Sequence, residues 1–471
     1  MFILLRTDNQ DICGALSYME MTDFNTSMKI SGSHMTLHVA SISAAMLLSL
    51  LWLAVNPAPA TALLLGLLAM SYVNYFIGKR DVLYPAFTFT AIWAIVVAVY
   101  YFCPFEINQI GWRTVVVVLA GHITFSIGAL IGRGPFQRNI RQYSKKYERQ
   151  NSDSPGTRYL LLGYTLMTIP MFLNDVQRIA GEQLSFSVKF LSDFTAQGAA
   201  VLLAGDNPYS NKFISSAVFF SVITMWVMIL EEKRKWMITL SALCVCVFAL
   251  ISVDRGILML VFCGCITLVL LKSKDRRLLK LVKPLSITAS AIVVIMILMS
   301  LLSHSWAQGK GGLQAATYAS VMYIAAPLAA FNYYLYNIDT YKDQPPEYFS
   351  QEIAVLSQYN IIQHREPASP VDKFAFVPFP TNVYTCFKSC YQDFGALGCF
   401  AAFAVFGFVQ GYLFRFAIRG SHVAAFLLAY LSKALMFSSF NNYYEGYSRN
   451  LNVLAFVFVY FFIFKRLRIK L

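Results

Sequence analysis

Long apolar stretches, broken by short polar ones, organise this chain. Between Thr36 and Gly78 there is no charged residue, and Asn56-Pro57-Ala58-Pro59 cuts that stretch in two. A helix needs roughly 20 apolar residues to cross a hydrocarbon layer, so the pattern predicts a helical hairpin. The same reading predicts further spans down the chain, near 36–54, 60–78, 84–102, 112–131, 159–175, 213–230, 237–253, 256–271, 285–303, 395–414, 423–440 and 452–464. The expected fold is all-α: a polytopic membrane protein of about twelve transmembrane helices, forming one domain over 36–471. Residues 1–35 hold no apolar core of a cleavable signal peptide and are expected to be a weakly ordered cytoplasmic leader.

Two polar stretches are long, 176–212 and 304–394. Each contains a segment of mixed apolar character that is expected to lie as a helix at the membrane interface. The first is 184–204. The second, Gly311 to Ile338, carries no charge and is long enough to cross. If it did cross, every later loop would change sides, so it is read as lying at, or dipping into, the outer interface.

Charge supplies the orientation. With an inside N-terminus, the predicted inner segments hold 26 Lys and Arg and the outer segments hold 10, with Arg113 and Lys433 falling inside spans. This fits the positive-inside rule and places both termini in the cytoplasm. The net charge of +14 is then mostly topology, and needs no nucleic acid as partner. Composition agrees: 57% of the 471 residues are apolar and only 13% are charged, against about 25% in soluble domains. A cytosolic enzyme, a disordered tail and a secreted disulfide scaffold are excluded. The nine cysteines have no zinc spacing, and neither a metal nor a cofactor is expected. Cys386 and Cys390 stand at i,i+4, a spacing that rarely suits a disulfide.

Candidate chemistry collects on the predicted outer side. Asp254-Arg255-Gly256 joins two apolar runs, putting an arginine at the membrane edge beside a helix N-terminus. A guanidinium fork and helix-end amides suit a diphosphate. The plainer alternative is a snorkelling arginine paired with Asp254. Asn441-Asn442-Tyr443-Tyr444-Glu445 and Arg449 combine flat rings, amides and charge. Such a mixture suits sugars, whose C–H faces pack on rings and whose hydroxyls bond amides. An interfacial aromatic belt and a surface ion pair are the plainer readings. Arg178 lies in the first long loop. At the end of the second, Asn382-Val383-Tyr384-Thr385 is followed by Lys388, Tyr391 and Asp393-Phe394-Gly395-Ala396-Leu397-Gly398, entering a span.

That last segment resembles the Wzy-type O-antigen polymerases, also called oligosaccharide repeat unit polymerases. Members carry an Asn-Val-Tyr-Thr-like element, then an aromatic, then Asp-Phe-Gly-x-x-Gly leading into a late helix. Asp254-Arg255-Gly256 is similar to the family's Arg-Gly helix start, while Tyr391-Gln392 departs from the aromatic pair expected there. The resemblance implies a glycosyltransferase of lipopolysaccharide and polysaccharide biosynthesis in the bacterial inner membrane, with its active site facing the periplasm. Its substrates would be undecaprenyl-diphosphate-linked oligosaccharides. The growing glycan moves from its lipid diphosphate onto a new lipid-linked unit, without a metal, and the family usually works with a chain-length regulator. On this reading Arg255 holds the diphosphate, helped by Arg449, Arg178 or Lys388, and Glu445 or Asp393 is the base. Asp254, Asn382, Tyr384, Tyr391 and Tyr443 line the substrate. A lipid-linked oligosaccharide flippase or other transporter, and an O-antigen ligase, are the alternatives.

Overall fold

The computed structural model describes residues 58–134, 155–180, 212–232, 234–252, 255–273, 312–341, 373–378, 380–441 and 447–464. The expected spans at 36–54 and 285–303 and the segment 184–204 lie outside the described residues. What is described is helical apart from one two-stranded ladder. The elements are α1 (Pro59–Ile77), α2 (Pro85–Tyr101), α3 (Trp112–Arg133), α4 (Pro155–Ala180), α5 (Lys212–Glu231), α6 (Lys235–Ser252), α7 (Arg255–Lys272) and α8 (Gly312–Tyr336). There follow a 3-10 turn (Ile338–Tyr341), β1 (Ala375–Phe376), β2 (Pro380–Thr381), α9 (Cys386–Ile418), α10 (His422–Met436) and α11 (Tyr447–Val457), which runs on as a π-helical stretch (Phe458–Phe464). Prolines open α1 and α2, where the missing N–H costs nothing and the fixed φ suits a first turn. α1, α3 and α9 are each long and apolar enough to cross a membrane. With its other apolar helices, the chain is a membrane protein of all-α class.

The tightest packing is between α3 and α9. Gly128 and Gly132 of α3 face Gly407 and Gly411 of α9. A Cβ added to them would lie 2.0 Å from the Ala404 carbonyl oxygen, 2.1 Å from that of Phe408, 2.1 Å from that of Phe125 and 2.2 Å from that of Ala129. Numbers rise together on both helices, so the two run parallel. This is a doubled small-xxx-small interface, the device that lets helices dock where no hydrophobic effect drives them together.

Helix ends sort into two sets. At one end, Glu231 gathers four elements. The Tyr460 hydroxyl donates to its Oε2 at 2.9 Å, and His422 Nδ1 lies 3.2 Å from its Oε1. Arg158 Nη1 donates to the Glu231 carbonyl at 2.6 Å and pairs with Glu232 at 3.1 Å. Lys272 donates to the Ile229 carbonyl. α9 reaches the same end through its short turn into His422. Because α3 runs parallel to α9, Arg133 is there too, donating to the Ile77 carbonyl. At the opposite end Asn332 Oδ1 accepts from the Gly111 N–H and the Thr114 hydroxyl, both at 2.7 Å, tying α8 to the start of α3.

α8 covers the segment expected to lie at, or dip into, the outer interface. Ala325, Ala329, Ala330 and Phe331 are fully buried, and the helix packs against α2, α3 and β1. Its alanines allow that close approach, so its C-terminal half is embedded in the core.

Candidate functional site

The Asp393-Phe394-Gly395 element is the apex of a re-entrant helical hairpin. α9 is broken at Gly395, where φ is 64° and ψ is −172°. That backbone region is essentially confined to glycine. A Cβ there would meet nothing within 4 Å, so conformation and not space selects the residue. The limbs 386–394 and 396–418 fold back on each other. Phe387 stacks on Phe403 with ring centroids 4.4 Å apart, and the Cys390 and Cys399 thiols are hydrogen-bonded. The polar helical stretch and the span expected near 395–414 are thus two limbs of one turn.

The short limb starts deep. Phe387 fills the notch left by Gly121, whose added Cβ would lie 2.2 Å from the ring. Gly121 is nine residues into α3, or about 13 Å along a helix about 33 Å long. The limb's first N–H, at Cys386, donates to the Ser438 carbonyl at 2.7 Å, just beyond the end of α10. Trp93 Nε1 donates to the Ser438 hydroxyl at 2.8 Å, and that hydroxyl donates to the Leu435 carbonyl at 3.0 Å. The start of the limb 386–394 and the turn after α10 therefore meet inside the molecule.

That junction is polar. Lys388, in the first turn of the limb, is 1% exposed, with its ammonium 5.1 Å above the Tyr384 ring. Thr385 caps the limb by position, yet its side chain makes no capping bond. The Thr385 and Ser439 hydroxyls are buried without a hydrogen-bond partner. Lys433, 7% exposed, lies one turn before Phe437 and within electrostatic reach of Cys263 on α7.

The expected site residues fall in three places. Lys388 and Tyr384 belong to the buried junction. The Tyr384 hydroxyl donates to the Lys373 carbonyl at 2.7 Å and meets the Tyr341 hydroxyl at 2.9 Å, which anchors the entry strand. Asn382, just past β2, is half-buried. Asp393 is half-buried beside the apex, and the Tyr391 hydroxyl accepts from Arg113 Nη2 at 3.1 Å while Arg113 Nη1 donates to the Leu335 carbonyl at 2.8 Å. Arg178 has a 56% exposed side chain, 3.5 Å from the Asp175 carboxylate. Arg255 is the first residue of α7, and Arg449 lies in the first turn of α11. Asp254, Tyr443 and Glu445 lie outside the described residues.

A shared end links several of these. Arg178, Arg255 and Arg449 each stand at the end of a helical run whose other end, through Arg158, Lys272 or Tyr460, meets the Glu231 cluster. Arg113 and the Gly395 apex are at that same far end. Ile257, two residues past Arg255, packs with Val176 and Ile179, which flank Arg178.

Sequence reading noted Arg113 and Lys433 only as charges within spans and did not assign them to the site. A charge inside an apolar run was the available signal. It also passed over Gly128/Gly132 and Gly407/Gly411, although both Gly-xxx-Gly spacings are visible. Near the Arg113 end, a cavity of about 550 Å³ is lined by Tyr100, Tyr101, Phe105, Glu106 and Gln109, a ring-and-amide surface of the kind that suits sugars. Among the described residues no three His, Cys, Asp or Glu side chains group as a metal site. Basic groups for an anion and a carboxylate for a proton are present at one end, and this is what the arrangement offers chemically. No family model matches the chain, and no curated protein or solved structure does so either.

Proposed function

We propose that this chain is a repeat-unit polymerase of bacterial surface polysaccharide, acting in the inner membrane on undecaprenyl-diphosphate-linked oligosaccharides. About twelve spans keep both termini in the cytoplasm, and the Glu231 end of the helices is the cytoplasmic one. The active site faces the periplasm, at the end that holds Arg113, Arg178, Arg255 and Arg449. The acceptor hydroxyl of the new unit attacks the anomeric carbon of the growing glycan, and the bond from that carbon to the lipid diphosphate breaks. Arg255, with Arg449, Arg178 or Lys388, stabilises the charge on the departing diphosphate, a task guanidinium groups perform without a metal. Glu445 or Asp393 takes the hydroxyl proton. A chain-length regulator is the expected protein partner.

The observation that carries this reading is that the Asn-Val-Tyr-Thr element leads directly into a hairpin whose apex is the Asp-Phe-Gly element, at the same end of the bundle as the helix termini that begin or end near Arg113, Arg178, Arg255 and Arg449. The test is complementation of a polymerase-deletion strain. The parent chain should restore a ladder of long glycans, and Arg255→Ala should leave single capped units with the protein still in the membrane. A normal ladder from Arg255→Ala removes that residue from the site.

One observation favours a second reading, a lipid-linked oligosaccharide flippase or transporter. Helix ends that meet inside the molecule, as at Cys386 and Ser438, are also a feature of transporter binding sites. Loss of a flippase leaves units trapped on the cytoplasmic side, whereas loss of a polymerase leaves single units exported and capped.

A further inference from the structure

At the junction of the limb 386–394 with the turn after α10, the helix dipole and the lysine share one sign. The limb 386–394 points its N-terminal, positive end at Ser438, and its first turn has no acidic residue but does have Lys388. A helix N-terminus and a lysine carry the same sign, and both are buried. A negative group between them would gain from each. The two hydroxyls beside the Cys386–Ser438 bond point the same way. Thr385, 2% exposed, and Ser439, 1% exposed, have no hydrogen-bond partner. Buried hydroxyls are nearly always bonded, because an unsatisfied one loses its bond to water without replacement. Two such groups, adjacent in sequence to the two ends of one backbone hydrogen bond, make a pair of donors waiting for an acceptor. Lys433 adds a second buried ammonium on the approach from α10.

We propose that Thr385, Lys388 and Ser439, with the start of the limb 386–394, form a binding site for a diphosphate. Two hydroxyl donors and an ammonium match the oxygens of one phosphate group. That the diphosphate is carried on an isoprenoid lipid rests on the polymerase reading. The affinity for the phosphate itself does not.

The test uses the full chain in lipid nanodiscs. Binding of farnesyl diphosphate, inorganic pyrophosphate and farnesol is measured by calorimetry, together with the melting temperature of each variant. The parent should bind farnesyl diphosphate and ignore farnesol. Lys388→Met should weaken binding by at least about tenfold, as expected for a charge-assisted contact. Thr385→Val and Ser439→Ala should each weaken it by about fivefold. Because these two remove an unsatisfied hydroxyl, they should also raise the melting temperature of the ligand-free protein. A residue with a merely structural role would not give those opposite signs. Pyrophosphate binding as tightly as farnesyl diphosphate supports the site and assigns it to the free anion. Binding by neither, or undiminished binding in well-folded Thr385→Val and Lys388→Met, overturns the proposal. The two ideas fail separately. A parent that binds diphosphate but restores no glycan ladder sinks the polymerase and keeps the site. A restored ladder with diphosphate binding unaltered in the variants does the reverse.

Discussion

The Phe387 ring lies on the Phe403 ring, 4.4 Å between centroids and 21° from parallel, and the two residues stand eight positions either side of Gly395. Only a full reversal of the chain at that glycine brings them together. The Asp-Phe-Gly element is therefore a turn by its backbone, and the hairpin depends on one residue's freedom to adopt φ 64°, ψ −172°.

Gly395→Ala should accordingly lower the melting temperature, by about 1–3 kcal/mol of stability, although no atom obstructs the new methyl. Gly395→Asn should not rescue it. Asparagine tolerates the ordinary left-handed region, whose ψ is near 45°, and the ψ here is far from that. Thermal unfolding in nanodiscs reads both, and an asparagine variant as stable as the parent would contradict the strain argument.

The parallel glycine interface predicts a contrast between positions. At Gly407 an added methyl meets the Phe125 carbonyl oxygen at 2.1 Å, and a backbone atom cannot swing aside. Gly407→Ala should cost about 1–3 kcal/mol through separation of α3 and α9. At Gly163 in α4 nothing lies within 4 Å, and Gly163→Ala should be neutral or gain about 0.5–1 kcal/mol. Equal melting temperatures for the two variants would argue against α3–α9 docking.

The Glu231 cluster should behave as one unit. Tyr460→Phe loses a single hydrogen bond and should cost about 1 kcal/mol. Glu231→Leu leaves Tyr460 and His422 without their acceptor and should cost about 3 kcal/mol or more. The double variant should be less damaged than the sum of the two, with a coupling of about 1 kcal/mol. Strict additivity in urea or thermal melts would mean that the hydroxyl and carboxylate do not interact.

Orientation can be read by labelling. Asn108, exposed at the Arg113 end, and Arg234, exposed beside Glu231, lie at opposite ends of the helices. With Asn108→Cys, a membrane-impermeant maleimide should label spheroplasts over the background of the native cysteines. With Arg234→Cys, labelling should require permeabilisation. The reverse pattern would invert the proposed topology and place the arginine-bearing ends in the cytoplasm.

Much of the plan was legible because bilayer physics writes itself into composition. Apolar run length and proline breaks are one-dimensional signals, and the helices α1, α2, α3, α5, α6 and α7 stand close to where those signals predicted them. The segment 311–338 was less legible. Its lack of charge is equally compatible with a surface helix and an embedded one, and the choice was made by close packing of Ala325, Ala329 and Ala330. The candidate site was legible as residues but not as geometry. Lys388 reads in sequence as a cation on a polar stretch leading into a span, and only the fold shows it 1% exposed.

The sequence by itself determined that this is an all-α membrane protein, because hydropathy and charge act on each residue through the solvent it meets, independently of its neighbours in space. Tertiary structure alone decided that Gly395 reverses the chain, that Cys386 meets Ser438 at mid-depth, and that Thr385, Lys388 and Ser439 share one buried junction. Such contacts join residues far apart in the chain and are set by shape fitting between helices, as where Phe387 enters the notch of Gly121. A linear pattern carries no record of which notch receives which ring.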